Sequence, residues 1–271
     1  MGWSWDPSLY EGSAPHYAVG RMAYPASLGD VLRDALGLDG TGRLLDVGCG
    51  PGSLTRLLAP LVATAVGVDA DPGMIAEARR SGVPGIEWRQ LRAEELPADL
   101  GTFRLVTFAQ SFHWMDQERV ARAVRPMIET GGAWVHVAAV TDRGVHGDDP
   151  LPQPRPPWDQ VDELVARHLG RVRRAGQGLL PSGTRGGEED VLRGAGFRGP
   201  QRLEVVRGDV VERSTDEIVS AVHSLSSAAP HLFGRRLQEF DDELRALLRS
   251  ASPSGTFAER ARDVGVVIWR P

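Results

Sequence analysis

The run Leu44-Leu45-Asp46-Val47-Gly48-Cys49-Gly50-Pro51-Gly52 constrains this chain more than any other feature: an apolar strand passes into three alternating glycines and then into a helix starting near Ser53. Glycines there let the backbone turn tightly and let a ligand approach the main chain, where a β-carbon would collide with it. The run therefore predicts a strand–turn–helix unit at the carboxyl edge of a parallel sheet, with a nucleoside ligand on the turn. From Arg43 to about Val140 the same rhythm repeats, short β-branched apolar runs alternating with longer amphipathic ones, which is the signature of β-α-β units. It predicts strands over Arg43–Val47, Thr64–Val68, Ile86–Leu91, Phe103–Ala109 and Ala133–Ala139. Helices are expected over Ser53–Leu61, Pro72–Ser81 and Asp116–Glu129, the last stopped by Gly131-Gly132.

Two details choose among nucleoside cofactors. A carboxylate at Asp46 would repel a pyrophosphate, whereas it suits an ammonium or a sulfonium group. The spacing Gly48-x-Gly50-x-Gly52 is also not the G-x-G-x-x-G of dinucleotide sites. The second strand ends on Asp69, where an open α/β sheet presents an acid to ribose hydroxyls. Asp71, just before Pro72, is expected to cap the next helix.

Composition narrows the remaining classes. The chain has no lysine and no asparagine, so a Schiff-base nucleophile, a phosphate-loop lysine and N-glycosylation are all excluded. A net charge of −5 argues against a nucleic-acid partner. The single cysteine, Cys49, and seven scattered histidines provide neither an internal disulfide nor a metal site. No apolar run nears the roughly 18 residues of a membrane span, and Met1–Tyr10 does not resemble a signal peptide. A cytoplasmic bacterial protein from a GC-rich genome is the expectation, with no membrane partner and its oligomeric state open.

Taken together, Leu45-Asp46-Val47-Gly48-Cys49-Gly50-Pro51-Gly52, Gly67-Val68-Asp69, Ala93-Glu94-Glu95-Leu96-Pro97 and Phe112-His113-Trp114 resemble, in order and spacing, the successive motifs of class I S-adenosylmethionine-dependent methyltransferases. The resemblance spans roughly Arg43 to Ala139. It implies a Rossmann-like, seven-stranded, mostly parallel sheet flanked by helices, and S-adenosylmethionine as cofactor. It further implies that Asp46 and the loop Gly48, Cys49 and Gly50 hold the methionine end, Asp69 and Ala70 the ribose, and Ala93 and Glu94 the adenine edge. Many relatives carry an acid where Arg92 stands, which weakens the adenine assignment.

Gln110, His113 and Trp114 follow the fourth strand at the ligand-binding edge. Gln110 is expected to reach the cofactor, His113 to face the acceptor as a base, and Trp114 to line the acceptor pocket, each against the plainer reading of a packed side chain. Tyr17 and Arg21 fall in an N-terminal arm (Met1 to Tyr17, then a helix near Pro25–Leu36). There Tyr17 would touch substrate, and Arg21 either pairs with the methionine carboxylate or is a surface cation.

Beyond Val140, five prolines in Gly147–Pro157 mark a loop. A helix over Trp158–Arg173, a glycine-rich stretch, a helix over Glu188–Gly194 and a strand over Gln201–Val206 follow. Helices over Thr215–Ser226 and Arg235–Ser250 then precede the apolar run Val264–Trp269. The two strands are read as a sheet-closing hairpin, and the helices between them as a lid. The whole is taken as one domain: arm 1–42, cofactor core 43–140 and substrate-covering half 141–271. The expected activity is methyl transfer to a small-molecule acceptor, with a cofactor-binding protein of other chemistry, a protein or RNA methyltransferase, and a nicotinamide oxidoreductase as rivals.

Overall fold

A computed structural model describes residues 6–175, 178–179 and 187–271. In chain order its elements are Ala14–Gly20 (α1), Ala26–Leu36 (α2), Arg43–Val47 (β1), Ser53–Leu58 (α3), Thr64–Asp69 (β2), Pro72–Arg80 (α4), Ile86–Gln90 (β3), Phe103–Ala109 (β4), Gln117–Val124 (α5), Ile128–Ala138 (β5) and Trp158–Leu169 (α6). A two-residue ladder (Arg174–Ala175, β6, with Gly178–Leu179, β7) follows, then Glu188–Gly194 (α7), Arg198–Val205 (β8), Val210–Ser214 (β9), Thr215–His223 (α8), Pro230–Phe233 (α9), Leu237–Ala251 (α10), Thr256–Arg260 (β10) and Val264–Arg270 (β11).

The main sheet has seven strands in the order β3-β2-β1-β4-β5-β11-β8. Pairing is parallel from β3 to β5 and antiparallel at β5–β11 and β11–β8. The strand order reverses at β1–β4, and in open α/β sheets that switch point opens the ligand crevice. Period-two alternation sends successive side chains to opposite faces. Thus Leu45 and Val47 join Phe103, Phe108 and Trp134 under α5 and α7, while Leu44 and Leu105 join the leucines of α2 and α3.

Among the differences from the sequence reading, four bear on the architecture. Pro126 turns the helix over Gln117–Val124 into a short 3-10 turn, so β5 starts at Ile128, and Gly131-Gly132 lies inside it, where the register with β4 slips. The sixth helix ends at Leu169, not Arg173, with Gly170 as its C-cap. The arm contains a helix, α1, with proline in its first turn. And β9 pairs antiparallel with β10, giving the segment between β8 and β11 a small sheet of its own. That segment and α6 share a separate apolar core built on Phe233, Phe240, Leu244, Leu248 and Phe257.

Helix α1 is seated directly on α8. A β-carbon on Gly20 would lie 2.2 Å from the backbone nitrogen of Ala221, so only glycine permits this approach. Ser13 Oγ donates to the His223 carbonyl (2.8 Å), and His231 Nδ1 meets the Glu11 carbonyl (3.0 Å). The N-terminal arm is thus bound to the C-terminal segment. Among the described residues, no helix is long and apolar enough to cross a membrane.

Candidate functional site

The glycine turn after β1 forms one wall of a cleft with an empty volume of about 1070 Å³. Gly48 adopts φ +69°, and an added β-carbon would sit 2.5 Å from Ser111 Cβ; Ser111 in turn donates from Oγ to the Val47 carbonyl (2.6 Å). Gly50, at φ +54°, has nothing within 4 Å of where its β-carbon would stand. The backbone there faces open space, a cradle that any side chain would fill. Gly52 serves packing instead: its β-carbon would strike the Trp88 indole at 2.3 Å, and that of Gly67 would meet the same ring at 2.4 Å. Trp88 thereby holds the loop against β2.

Asp69 closes the turn. Its Oδ2 accepts from Gly50 N (2.8 Å) and its Oδ1 from Asp71 N (2.9 Å). Each oxygen keeps lone-pair capacity for a further donor. Burial pushes its carboxyl up to about 6, against the pull of these two amides. Asp71 lines the cleft but is spent on its own helix, capping α4 by accepting from Met74 N (2.9 Å). Leu91, Arg92, Ala93 and Glu94 form the adjoining wall. Glu94 is buried, and its Oε1 accepts from Asp116 N (2.9 Å).

Of the residues singled out in the sequence, Tyr17, Arg21, Gly48, Cys49, Gly50, Asp69, Ala70, Ala93, Glu94, Gln110 and Trp114 all line this cleft. Two do not. Asp46 is only 1% exposed; it lies behind the turn, where its Oδ2 accepts from Thr55 Oγ1 (2.6 Å) and its Oδ1 from Thr107 Oγ1 (2.8 Å). Its strand register pairs it with Thr107. Its carboxylate therefore ties β1 to β4 and α3, and burial raises its pKa.

His113 is the second of these. Phe112–Trp114 is a 3-10 turn, in which successive side chains diverge by about 120°. Phe112 points into the core, Trp114 into the cleft, and His113 lies apart from the cleft wall. Near it lies His136, whose titration is lowered by burial first and by His113 second. Burial holds the His113 imidazole down to about 4, so it is neutral near pH 7 and a weak base.

The opposite wall comes from the arm. The chain has three tyrosines, Tyr10, Tyr17 and Tyr24, and all of them line the cleft. Tyr10 meets Tyr17 edge-on at 6.4 Å and Trp114 at 5.6 Å. Burial raises the Tyr10 and Tyr24 hydroxyls above their ordinary range, so both stay protonated as donors. The Arg21 guanidinium lies 4.6 Å from the Tyr17 ring centre and donates to Ser224 Oγ (2.8 Å), the Ser224 carbonyl (3.3 Å) and Asp142 Oδ1 (3.3 Å), which leaves two of its five N–H groups for a ligand. Gln110 holds a left-handed φ of +54°, a strain that non-glycine residues keep mainly at functional sites; its Nε2 donates to the Ala139 carbonyl (3.1 Å). The sequence reading missed Tyr10, Tyr24 and Trp88; the concentration of every tyrosine in the first 24 positions was the available signal for two of them.

Residues 44–132 match the family model described as a methyltransferase domain. An uncharacterized methyltransferase of Mycobacterium tuberculosis is 37% identical over 134 residues, covering 48% of this chain and 53% of that protein. The malonyl-[acyl-carrier protein] O-methyltransferase of Enterobacter lignolyticus is 31% identical over 176 residues, covering 64% and 66%. The chain spans about half the length of the first of these relatives. Among solved structures, the [4+2]-cyclase SpnF superposes with a TM-score of 0.52 at 18% identity, over 100% of this chain and 98% of the cyclase. The shared architecture therefore does not by itself select a reaction.

Proposed function

We propose, on the premise that residues 44–132 belong to the class I S-adenosylmethionine-dependent methyltransferase family, that this chain transfers a methyl group to a small-molecule acceptor bound in the cleft. The observation that carries the reading is the open cradle at Gly50 beside the desolvated Asp69 carboxylate, a donor-seeking acid at the edge of a surface built for close backbone approach. When bound, S-adenosylmethionine supplies a sulfonium-borne methyl that an acceptor lone pair displaces in line. The chain's own contribution is to hold the two at near-attack distance, which is worth about 7–11 kcal/mol of barrier.

In this reading Asp69 accepts from the ribose diol while Ala70 packs beside it. Leu91 and Ala93 flank the base, with Glu94 at its edge. The backbone of Gly48–Gly50 and the two spare N–H groups of Arg21 receive the methionine end. Tyr17, Trp114 and Gln110 face the acceptor. The arm, clamped to α8, closes the cleft from above, so that arm 1–42, core 43–140 and C-terminal half 141–271 work as one unit with the last two elements of cover acting as the lid. The cleft's lining of aromatic and apolar side chains with a few polar groups is of the kind that receives a small ligand, and the net negative charge supports a small molecule over a nucleic acid. A cytoplasmic setting belongs to the same reading.

The test is to supply methyl-labelled S-adenosylmethionine with a fractionated pool of small metabolites, following demethylated cofactor and labelled product together. Label in a low-mass fraction, reduced at least about tenfold in Asp69→Ala at subsaturating cofactor, is the expected result. Cofactor binding that never yields demethylated product would instead favour non-transfer chemistry of the kind the cyclase's fold also houses.

No described histidine lines the cleft. Replacing His113 by alanine should thus leave single-turnover rates within about tenfold of the parent, where loss of a general base costs about 10²–10⁴-fold. A loss of that larger size, with the acidic limb of the pH–rate profile gone, would restore the histidine as base.

A further inference from the structure

A second cavity, with an empty volume of about 920 Å³, opens beyond Gln110, the residue it shares with the cofactor cleft. It lies at the carboxyl ends of β4 and β5, on the edge of the sheet where α/β proteins bind ligands. One side is apolar, formed by Ala138–Val140 and Val145; both valines are 44% exposed. The other side carries Arg207, Arg260 and Arg262.

The three arginines are not equivalent. Arg207 is clamped by both carboxylate oxygens of Asp209 and donates to the Ala23 carbonyl (3.0 Å). Arg260 is held by Asp149 Oδ2 (2.5 Å) and the Gly208 carbonyl (3.0 Å). Arg262 uses only Nε, donating to the Gly144 carbonyl (3.0 Å). Its two terminal nitrogens have no hydrogen-bond partner and no ion pair among the described residues. The acid in the lining, Asp263, accepts from the Arg207 backbone nitrogen (2.6 Å). A planar cationic fork with both outer nitrogens unassigned, facing a concave surface with an apolar floor, is matched to a carboxylate or phosphate carried on a carbon skeleton.

We infer that this cavity is the acceptor's anchoring subsite. It takes an organic anion whose charged end lies on the Arg262 fork and whose skeleton runs along Ala138–Val140, so that the reacting part reaches past Gln110 into the cleft. Gln110 stands on the border of the two spaces, where its bond to the Ala139 carbonyl holds it at the rim of both. The inference rests on the methyltransferase reading and adds to it the charge class of the acceptor.

The experiment is calorimetry on the full chain saturated with S-adenosylhomocysteine, titrated with adipate and with its neutral isostere adipamide. Adipate should bind saturably and adipamide should not. Arg262→Gln should weaken adipate at least about tenfold, the loss expected for one charge-assisted contact, and Arg262→Lys, which keeps the charge and loses the fork, should fall between. S-adenosylhomocysteine affinity should be the same in all three proteins. No saturable adipate binding, or adipate binding that neither variant changes, overturns the subsite while leaving the cofactor reading intact. Failure of the parent protein to bind S-adenosylhomocysteine removes both. Should Arg262→Gln not fold, the adipate affinity of Arg262→Lys decides alone, a several-fold loss supporting the subsite and no loss overturning it.

Discussion

Asp69→Ala is expected to weaken S-adenosylmethionine binding by one to two orders of magnitude in calorimetry, with little loss of fold. A charged acceptor bonded to a diol is worth roughly 1.5–3 kcal/mol, and each 1.4 kcal/mol is about tenfold in affinity. The substitution also frees the amides of Gly50 and Asp71 that now donate to this carboxylate, so the loop loses its tether as well as the ligand its partner. Asp69→Asn separates the two effects: its amide oxygen can still accept from one backbone N–H, while the charge is gone. Equal affinity in parent and Asp69→Ala would show that the acid only braces the turn.

The same residue fixes a pH dependence and its sign. Burial raises the Asp69 carboxyl to about 6, above its ordinary value, so the ligand-free fold binds the proton more tightly than the unfolded chain. Its stability therefore gains as pH falls through about 6 and loses that gain as pH rises. Cofactor binding runs the other way, because the diol donates to the ionised form. Affinity should be flat above about pH 7 and decline below about 6, by up to tenfold per unit for a single proton. In Asp69→Asn the decline should vanish; its persistence would place the titrating group elsewhere.

Why some of this was legible and some was not follows from how far apart the interacting residues lie. The glycine turn, Asp69 and the Asp71 cap are local: each is specified by neighbours within a few positions, and period-two alternation places the strands around them. The burial of Asp46 was not legible, because it depends on which hydroxyls lie across the sheet. Thr107 is 61 positions away, and only the strand order brings it there. The place of His113 outside the cleft wall was not legible either, since it depends on the 3-10 turn over Phe112–Trp114, in which successive side chains diverge by about 120°. The arm was legible only as a segment ahead of the first strand. What makes it a wall is its attachment to residues more than 200 positions away, such as Arg21 to Ser224, and no local pattern encodes that contact.

The largest stability effect should come from the group that makes this attachment. Arg213 is buried, its side chain 3% exposed against 4% for Glu259, with NH1 2.9 Å from Glu259 Oε2. NH1 also donates to the Asp142 carbonyl (2.7 Å), and NH2 to the carbonyls of Gly20 (2.6 Å) and Glu217 (3.1 Å). Glu259 Oε1 in turn accepts from Gly144 N (2.8 Å) and Trp158 Nε1 (2.7 Å). One ion pair thus joins the end of α1, the segment after β5, the start of α6, α8 and the β9–β10 ladder. Removing one member of a buried pair strands the other's charge and costs about 3–5 kcal/mol. Arg213→Met should therefore lower the thermal midpoint by roughly 10 °C, at about 2–4 °C per kcal/mol for a chain of this order of length. By contrast, the exposed Arg245–Asp216 pair, with side chains 39% and 75% exposed, should contribute at most about 1 kcal/mol, and Arg245→Met should be nearly silent. Asp142, whose backbone Arg213 holds, pairs through its side chain with Arg21 at 3.3 Å. For that reason Arg213→Met, measured well below its own midpoint where it is folded, should also bind S-adenosylmethionine several-fold more weakly. Equal midpoints for the two methionine variants would show that the buried pair is dispensable, and an unchanged cofactor affinity in a destabilised Arg213→Met would show that the arm keeps its place over the cleft without it.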